Sequence, residues 1–240
     1  MTYFDTNHSA EQEGAASVDA VPIVLIAALR DLLSESYGEQ ISALAPLACD
    51  GLHAQYRAAT DAADKAILRA AIHKLANYAQ PLRSEIQREL GKRFDTKMNA
   101  PDDALSHTGR FSLEALQLLE HLGMQEEFEL ERAVERLRAA AQFELNTLSD
   151  GIARLLGRNA LAESHNPVFP RVFARTLLDS LAAIGCEPQV KHAAFRALCP
   201  LLEEVLPYIY EQASSLLDLG GRTLSAEFKV PRAHATYGGV

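Results

Sequence analysis

The sequence predicts an all-α fold, an irregular bundle of about six or seven helices with long amphipathic antiparallel helices and disordered N- and C-terminal tails. Three observations carry this. Apolar residues recur at steps of three and four over most of the chain, as one face of a helix requires. No segment sustains the two-residue alternation of β-branched residues that marks a half-buried strand. Hairpin dipeptides are missing in useful places: Asp50-Gly51 and Asp150-Gly151 both fall inside helical patterns.

Taken in order, residues 1–18 are small, polar and without period, and read as disordered. Asp19 is placed to cap a first helix, with Pro22 tolerated in the opening turn. This helix is expected to reach about Ser36 and to end at Gly38. A second segment, Glu39 to Thr60, carries Ile41, Leu44, Leu47 and Leu52 at helical spacing, with Pro46 and Gly51 as bends or interruptions. Over residues 61–98, Leu68, Ile72, Leu75, Ala79, Leu82, Ile86, Leu90 and Phe94 form one apolar stripe, which predicts a single long helix kinked at Pro81. The N-terminal helical half therefore spans 19–98. Residues 99–110 are rich in helix breakers and read as a linker and hinge.

The C-terminal helical half is expected over 111–221. Ser112 starts a short helix that Gly123 closes. A long helix follows over 125–156, whose stripe (Leu130, Val134, Leu137, Ala141, Leu145, Leu148, Ile152, Leu155) approaches a 3.5-residue repeat. That period suggests an antiparallel neighbour along most of its length, with Leu137 and Leu148 in the core. Gly157 is the stop. Asn166-Pro167 signals a helix running to Gly185, and Glu187-Pro188 begins a last one ending at Gly220-Gly221, with Pro200 and Pro207 as kinks. Residues 222–240 lack a period and read as a mobile tail.

Composition limits the function. The chain has 240 residues and a formal net charge of −9, which argues against a nucleic-acid partner, since such proteins need a basic footprint. The polar, acidic start lacks the form of a signal peptide, and the run Val21 to Leu29 is too short for a membrane span. The expected compartment is cytoplasmic. Three cysteines without a CxxC fit neither a disulfide framework nor a zinc ribbon.

Catalytic constellations are not legible. No Glu-x-x-His pair, HExxH, nucleophile elbow or phosphate-binding glycine loop occurs. The expectation is no catalytic residue, no metal, no cofactor and no nucleoside turnover. Cys186 follows Gly185 at a helix start, a place that can depress a thiol pKa, although filling space is the simpler role. Glu126, Glu127, Glu129 and Glu131 read as a solvated first turn favoured by the helix dipole. Arg132/Arg136 and Arg171/Arg175 fit the RxxxR spacing of PilZ domains, but on helices and without the companion strand motif, so dinucleotide binding is not expected.

Charge is segregated. Residues 65–97 hold eight Lys/Arg against three acids, and residues 111–157 nine acids against four Arg. Either the two stretches complement each other within the molecule, or the basic face meets an acidic partner.

The order of several segments is similar to the proteobacterial domain-of-unknown-function family 1631. ALAPLACDGLHAQYRAAT at 43–60 and LANYAQPLRSEIQRELGKRF at 75–94 resemble its opening helices. FSLEALQLLEHLGMQEEFELERAVERLRAAAQFELNTLSDGIARLLG at 111–157 resembles its acidic segment and Arg/Glu-rich helix, and NPVFPRVFARTLLDSLAAIGCEP at 166–188 its Asn-Pro helix start. The resemblance runs over about residues 40–222 and identifies the N-terminal helical region of the family. It implies a link to cyclic-di-GMP signalling through the PilZ-like region of longer members. The label thymidine phosphorylase carried by some members does not fit an all-α chain.

Together these readings predict a non-catalytic helical interaction or regulatory module with a protein partner, or a second copy of the chain, as its target. The alternative is a small-molecule-binding or enzymatic bundle with its site between helices. The candidate contact residues are Arg88, Lys92 and Arg93 on the basic face, and Phe228, Val230 and Tyr237 as apolar anchors in the tail.

Overall fold

The computed structural model describes residues 20–99 and 113–227, with side chains placed for 23–99 and 126–220. The expectations for residues 1–19 and 100–112, and for Phe228, Val230 and Tyr237, lie outside the described residues. Seven helices and no strand are present among the described residues: α1 (Ala20–Ala58), α2 (Ala62–Asn77), α3 (Ala79–Met98), α4 (Leu113–Ala140), α5 (Gln142–Leu155), α6 (Pro170–Ala183) and α7 (Pro188–Glu227).

Helix α1 is a single helix of 39 residues rather than the two that Gly38 suggests. Its buried stripe, Leu25, Leu29, Leu33, Tyr37, Ile41, Ala45, Ala48 and Leu52, advances by three or four residues without a break. Gly38 sits where α3 comes closest. A Cβ there would lie 3.1 Å from the Arg83 carbonyl oxygen and 3.0 Å from Gln87 Cγ. The missing side chain serves helix packing instead of helix termination. Pro46 is exposed, so the carbonyl that loses its N–H partner faces water. Leu47, expected on the buried stripe, is 56% exposed, because the face turns through Leu44, Ala45 and Ala48.

The predicted long helix over 61–98 is two helices broken at Tyr78. Pro81 is the third residue of α3, in the first turn, where a missing N–H costs no intrahelical bond. The proline marks a helix start instead of a kink. Asp61 caps α2 by accepting from the Asp64 N–H at 3.3 Å.

In the second half, Gly123 does not stop α4, and the break falls at Ala141. Neither Pro nor Gly stands there to announce it. Gly157 (φ 65°) and Gly185 (φ 77°) do end α5 and α6, in the left-handed conformation that favours glycine. In each case the next N–H reaches back five residues, Arg158 to Ala153 at 2.8 Å and Cys186 to Leu181 at 3.2 Å. Asn166 is not the cap of α6. Its Oδ1 accepts from the Val168 N–H at 3.0 Å, its Nδ2 donates to Ser149 Oγ at 2.8 Å, and α6 begins at Pro170. Helix α7 runs 40 residues, through Pro200, Pro207 and Gly220 to Glu227. At Gly220 a Cβ would lie 2.7 Å from Leu25 Cδ2, again a close approach rather than an end.

Helices α1 and α7 pack antiparallel at the centre: Ser36 Oγ donates to Gln212 Oε1 at 3.1 Å, and Gly220 faces Leu25. Helix α3 lies antiparallel along α1, tied by Arg30–Asp95 at 3.2 Å and Arg83–Glu39 at 2.7 Å. Helix α2 folds back along the end of α1, where Arg69 donates to Tyr56 Oη at 2.9 Å. The neighbour along α4–α5 is α7, and it runs parallel: Glu129 meets Arg196, Arg136 meets Glu203, and Gly151 meets Leu217. The antiparallel partner of α4 is the short α6.

Both halves contribute to one hydrophobic core. At its middle Phe173 of α6 meets Tyr37 of α1 and Tyr210 of α7 edge-on, with ring centroids 5.1 and 5.5 Å apart. Both of these tyrosine hydroxyls have an acceptor: Tyr37 donates to the Phe173 carbonyl at 2.9 Å, and Tyr210 to the Val168 carbonyl at 2.6 Å.

Candidate functional site: an ionic groove between α3, α4 and α6

The acidic residues of α4 do not form a first turn. They sit in the middle of a 28-residue helix and split between two faces. Glu127 and Glu131, one turn apart, face α6, where Arg171 donates to both. Arg175, one turn further along α6, reaches Glu126 and Glu127 at 3.4 Å and Asp179 at 3.6 Å. Asp179 also pairs with Arg93 of α3, which holds Glu89 at 3.1 Å. A continuous chain of alternating charge thus crosses from α3 through α6 to α4.

Glu126 and Glu129 turn toward α7. Lys191 Nζ lies 2.5 Å from Glu126, and His192 Nδ1 lies 2.8 Å from Glu129. The Nε2 of the same ring is 4.0 Å from Glu126, so the buried imidazole stands between two carboxylates. Burial pushes the Glu126 carboxyl up, but the hydrogen bond and charge of Lys191, with Arg175 and His192, outweigh it and leave the pKa lowered.

Beside this chain a groove of about 670 Å³ opens between α3, α4 and α6. Leu130, Val134, Phe169 and Val172 give it apolar surface; Arg93, Lys97, Arg171 and Arg175 supply cations. Arg138 pairs with Glu163 at 3.0 Å and lies 5.7 Å from the centroid of the Phe169 ring. Lys97 differs from the other cations. It is half-buried, donates to the Ser164 carbonyl, and has no carboxylate partner among the described residues.

The candidate contact residues fall out differently. Arg88 is exposed and bound to its own helix, at 2.5 Å from Glu85 and 3.5 Å from Glu89. Arg93 is half-buried and committed to Glu89 and Asp179. Lys92 is exposed and carries no ion pair among the described residues. Among the described residues the ion-pair partners of the α4 acids are Arg171, Arg175, Lys191, His192 and Arg196, not cations of α3. Arg171 and Arg175 were visible in the sequence as an RxxxR pair. The missed signal was the matching acidic pair Glu127 and Glu131 at the same four-residue spacing.

The thiols are poor nucleophiles. Burial pushes Cys186 up despite Lys74 and Lys191 nearby, so the helix-start position does not depress its pKa. Burial raises Cys199 to about 12 and Cys49 by less, with Asp50 adding to the latter. No group of three or more His, Cys, Asp or Glu is placed to hold a metal among the described residues. None of the described helices is long and apolar enough to cross a membrane.

Comparison with known families gives one finding. Residues 22–221 match the family described as protein of unknown function (DUF1631), N-terminal domain, and the chain belongs to it. No curated protein and no solved structure matches.

Proposed function

We propose that this member of the DUF1631 N-terminal family is a non-catalytic interaction module, docking an acidic segment of a partner protein on the outer edge of α3. Lys92 carries the reading. An exposed ammonium with no carboxylate partner among the described residues, one turn from exposed Arg88, is a cation that the described fold does not use. In a chain of net charge −9 such an edge steers acidic partners to one place. Regulation linked to cyclic-di-GMP, implied by the family resemblance, belongs to the same proposal.

A photo-crosslinking residue at exposed position 96, one turn from Lys92 on α3, in a lysate of the native host, tests it. The expected result is capture that disappears at roughly 1 M salt, where the screening length is about 3 Å, and that is absent from a control at exposed position 211 on α7. Equal capture from both positions, or capture indifferent to salt, defeats the proposal. With the crosslinker at 96, Lys92→Glu should abolish capture without moving the melting temperature, because no ion pair among the described residues is broken.

A second reading, a ligand site between helices, is favoured by the groove beside Lys97. It places the recognised chemistry inside the bundle instead of on its edge.

A further inference from the structure

The groove cations differ in what they already hold. Arg171 is taken by Glu127 and Glu131, Arg175 by Glu126, Glu127 and Asp179, and Arg138 by Glu163. Two groups on α3 keep unused donors. Lys97 gives one N–H to the Ser164 carbonyl and has two left. Among the described residues the buried Nε of Arg93 has no hydrogen-bond partner, although its guanidinium pairs with Asp179 through Nη2. These residues stand one turn apart on one helix, so they look into the groove together.

Burial, Arg171 and Arg93 together hold the Lys97 ammonium below the usual lysine range. A place where neighbouring cations penalise an ammonium is one where an incoming anion is favoured. The carboxylates of the groove are mostly engaged: Glu127 and Glu131 by Arg171, Glu163 by Arg138, while Glu135 is exposed. Three unpaired donors match the three terminal oxygens of a tetrahedral oxyanion one to one, where a carboxylate would have to share two oxygens among them. Beside them lie Phe169, Leu130, Val134 and Val172, which suit an apolar body.

We infer that this groove binds a small molecule bearing a phosphoryl group on a ring-containing apolar body, the phosphoryl oxygens on Lys97 and Arg93 and the ring against Phe169. The inference rests on the second reading above, a ligand site between helices, and is independent of the α3 edge around Lys92.

Calorimetric titration of the full chain with phenyl phosphate, inorganic phosphate and benzoate tests it. Saturable binding is expected for phenyl phosphate, weaker binding for inorganic phosphate, and little for benzoate. Lys97→Met should weaken phenyl phosphate about tenfold or more, the loss typical of one hydrogen bond between charged groups. Lys97→Arg should restore much of it. Lys92→Met removes the same net charge outside the groove and should change nothing. Lys97 is in no ion pair among the described residues, and Lys97→Met gives up only the hydrogen bond to the Ser164 carbonyl, so its variants should stay folded and melt close to the parent, which keeps the comparison interpretable. Equal losses for Lys97→Met and Lys92→Met would reduce the effect to general charge and overturn the site. Benzoate binding as tightly as phenyl phosphate overturns the phosphoryl assignment, and no saturable binding by either phosphate overturns the ligand site itself. None of these outcomes touches partner capture at the α3 edge around Lys92, so the two proposals fail separately.

Discussion

Cys199 shows how far a single residue is decided by its surroundings. Its thiol is 1% exposed and its pKa is raised to about 12, so thiolate is scarce at neutral pH and reagents must wait for the fold to open. Alkylation by iodoacetamide should therefore be slow in buffer and should rise with denaturant in step with global unfolding. Fast modification of the native protein at Cys199 would contradict the buried assignment. Leu137 and Leu148, both fully buried, are the complementary test of packing. Alanine at either should lower the unfolding free energy by about 2–5 kcal/mol, and a loss under half a kilocalorie, on the order of an ordinary surface change, would place the side chain outside the core. These two leucines were legible because a stripe repeated over seven turns averages out local error. Leu47 was misplaced because it rests on one step of three from Leu44, and a neighbouring alanine, Ala48, fills the buried position instead. Small residues carry little hydrophobic signal, yet they mark where helices come close.

At the scale of helices, glycine and proline carried most of the boundary errors, the break at Ala141 excepted, for a physical reason. Each has two roles, breaking a helix or permitting something beside it, and local sequence does not distinguish them. Gly157 and Gly185 end helices, with positive φ; Gly38 and Gly220 lie inside helices where another helix crowds the backbone. Alanine substitution separates the roles. Gly51 is in α1 with nothing within 4 Å of a new Cβ, so Gly51→Ala should stabilise by about 0.5–1 kcal/mol through helix propensity alone. Gly38→Ala gains the same propensity but sets a methyl 3.1 Å from a backbone oxygen of α3, which does not yield as a flexible side chain would. It should therefore fall well short of the Gly51 gain and is expected to destabilise. Urea midpoints of the two variants decide this, and equal gains would mean that α1 and α3 are not in close contact at Gly38. The site was less legible than the helices, because the groove depends on a pairing of α4 with α6 across residues forty or more positions apart. Its four-residue spacings of like charge were on view; their partner was not.

The attachment of α4 is also an acid-sensitive element. Glu126 has a lowered pKa in the fold, so its ionised form is favoured relative to the unfolded chain, where a glutamate titrates near about 4.3. A depressed carboxyl contributes stability that is present above the unfolded value and is lost as pH falls through the folded one. Glu126→Gln should accordingly destabilise at neutral pH, and should make stability less dependent on pH below about 5 than in the parent. Urea titrations across that range read both effects. An unchanged acid slope in the variant would remove Glu126 from the acid response and leave it to other carboxylates.

For the whole molecule, the open question is whether the two stretches of helix are separate bodies or halves of one. Sequence punctuation favoured a division, because residues 99–110 collect the breakers of the central region. The packing favours unity. Helix α1 carries one stripe, and its sides are covered by α2 and α3 from its own half and by α7 from the other. Tyr37 of α1 is fully buried by this arrangement, and its hydroxyl is satisfied by the carbonyl of Phe173 in α6. Without the second half, that hydroxyl, its ring and the face of Leu25, Leu29 and Leu33 would be returned to water, and two long helices would lose much of their apolar cover. Residues 20–99 expressed alone should then lack a cooperative unfolding transition and show poor amide dispersion in NMR spectra. Addition of a separate chain covering 113–227 should restore both, since the missing surface is the complement of the exposed one. The intact protein should unfold in one transition whether followed by helicity or by tyrosine environment at Tyr37 and Tyr210. A sharp transition in the isolated 20–99 segment would show instead that α1, α2 and α3 hold a core of their own, and that the contacts of α7 are made on a body already folded.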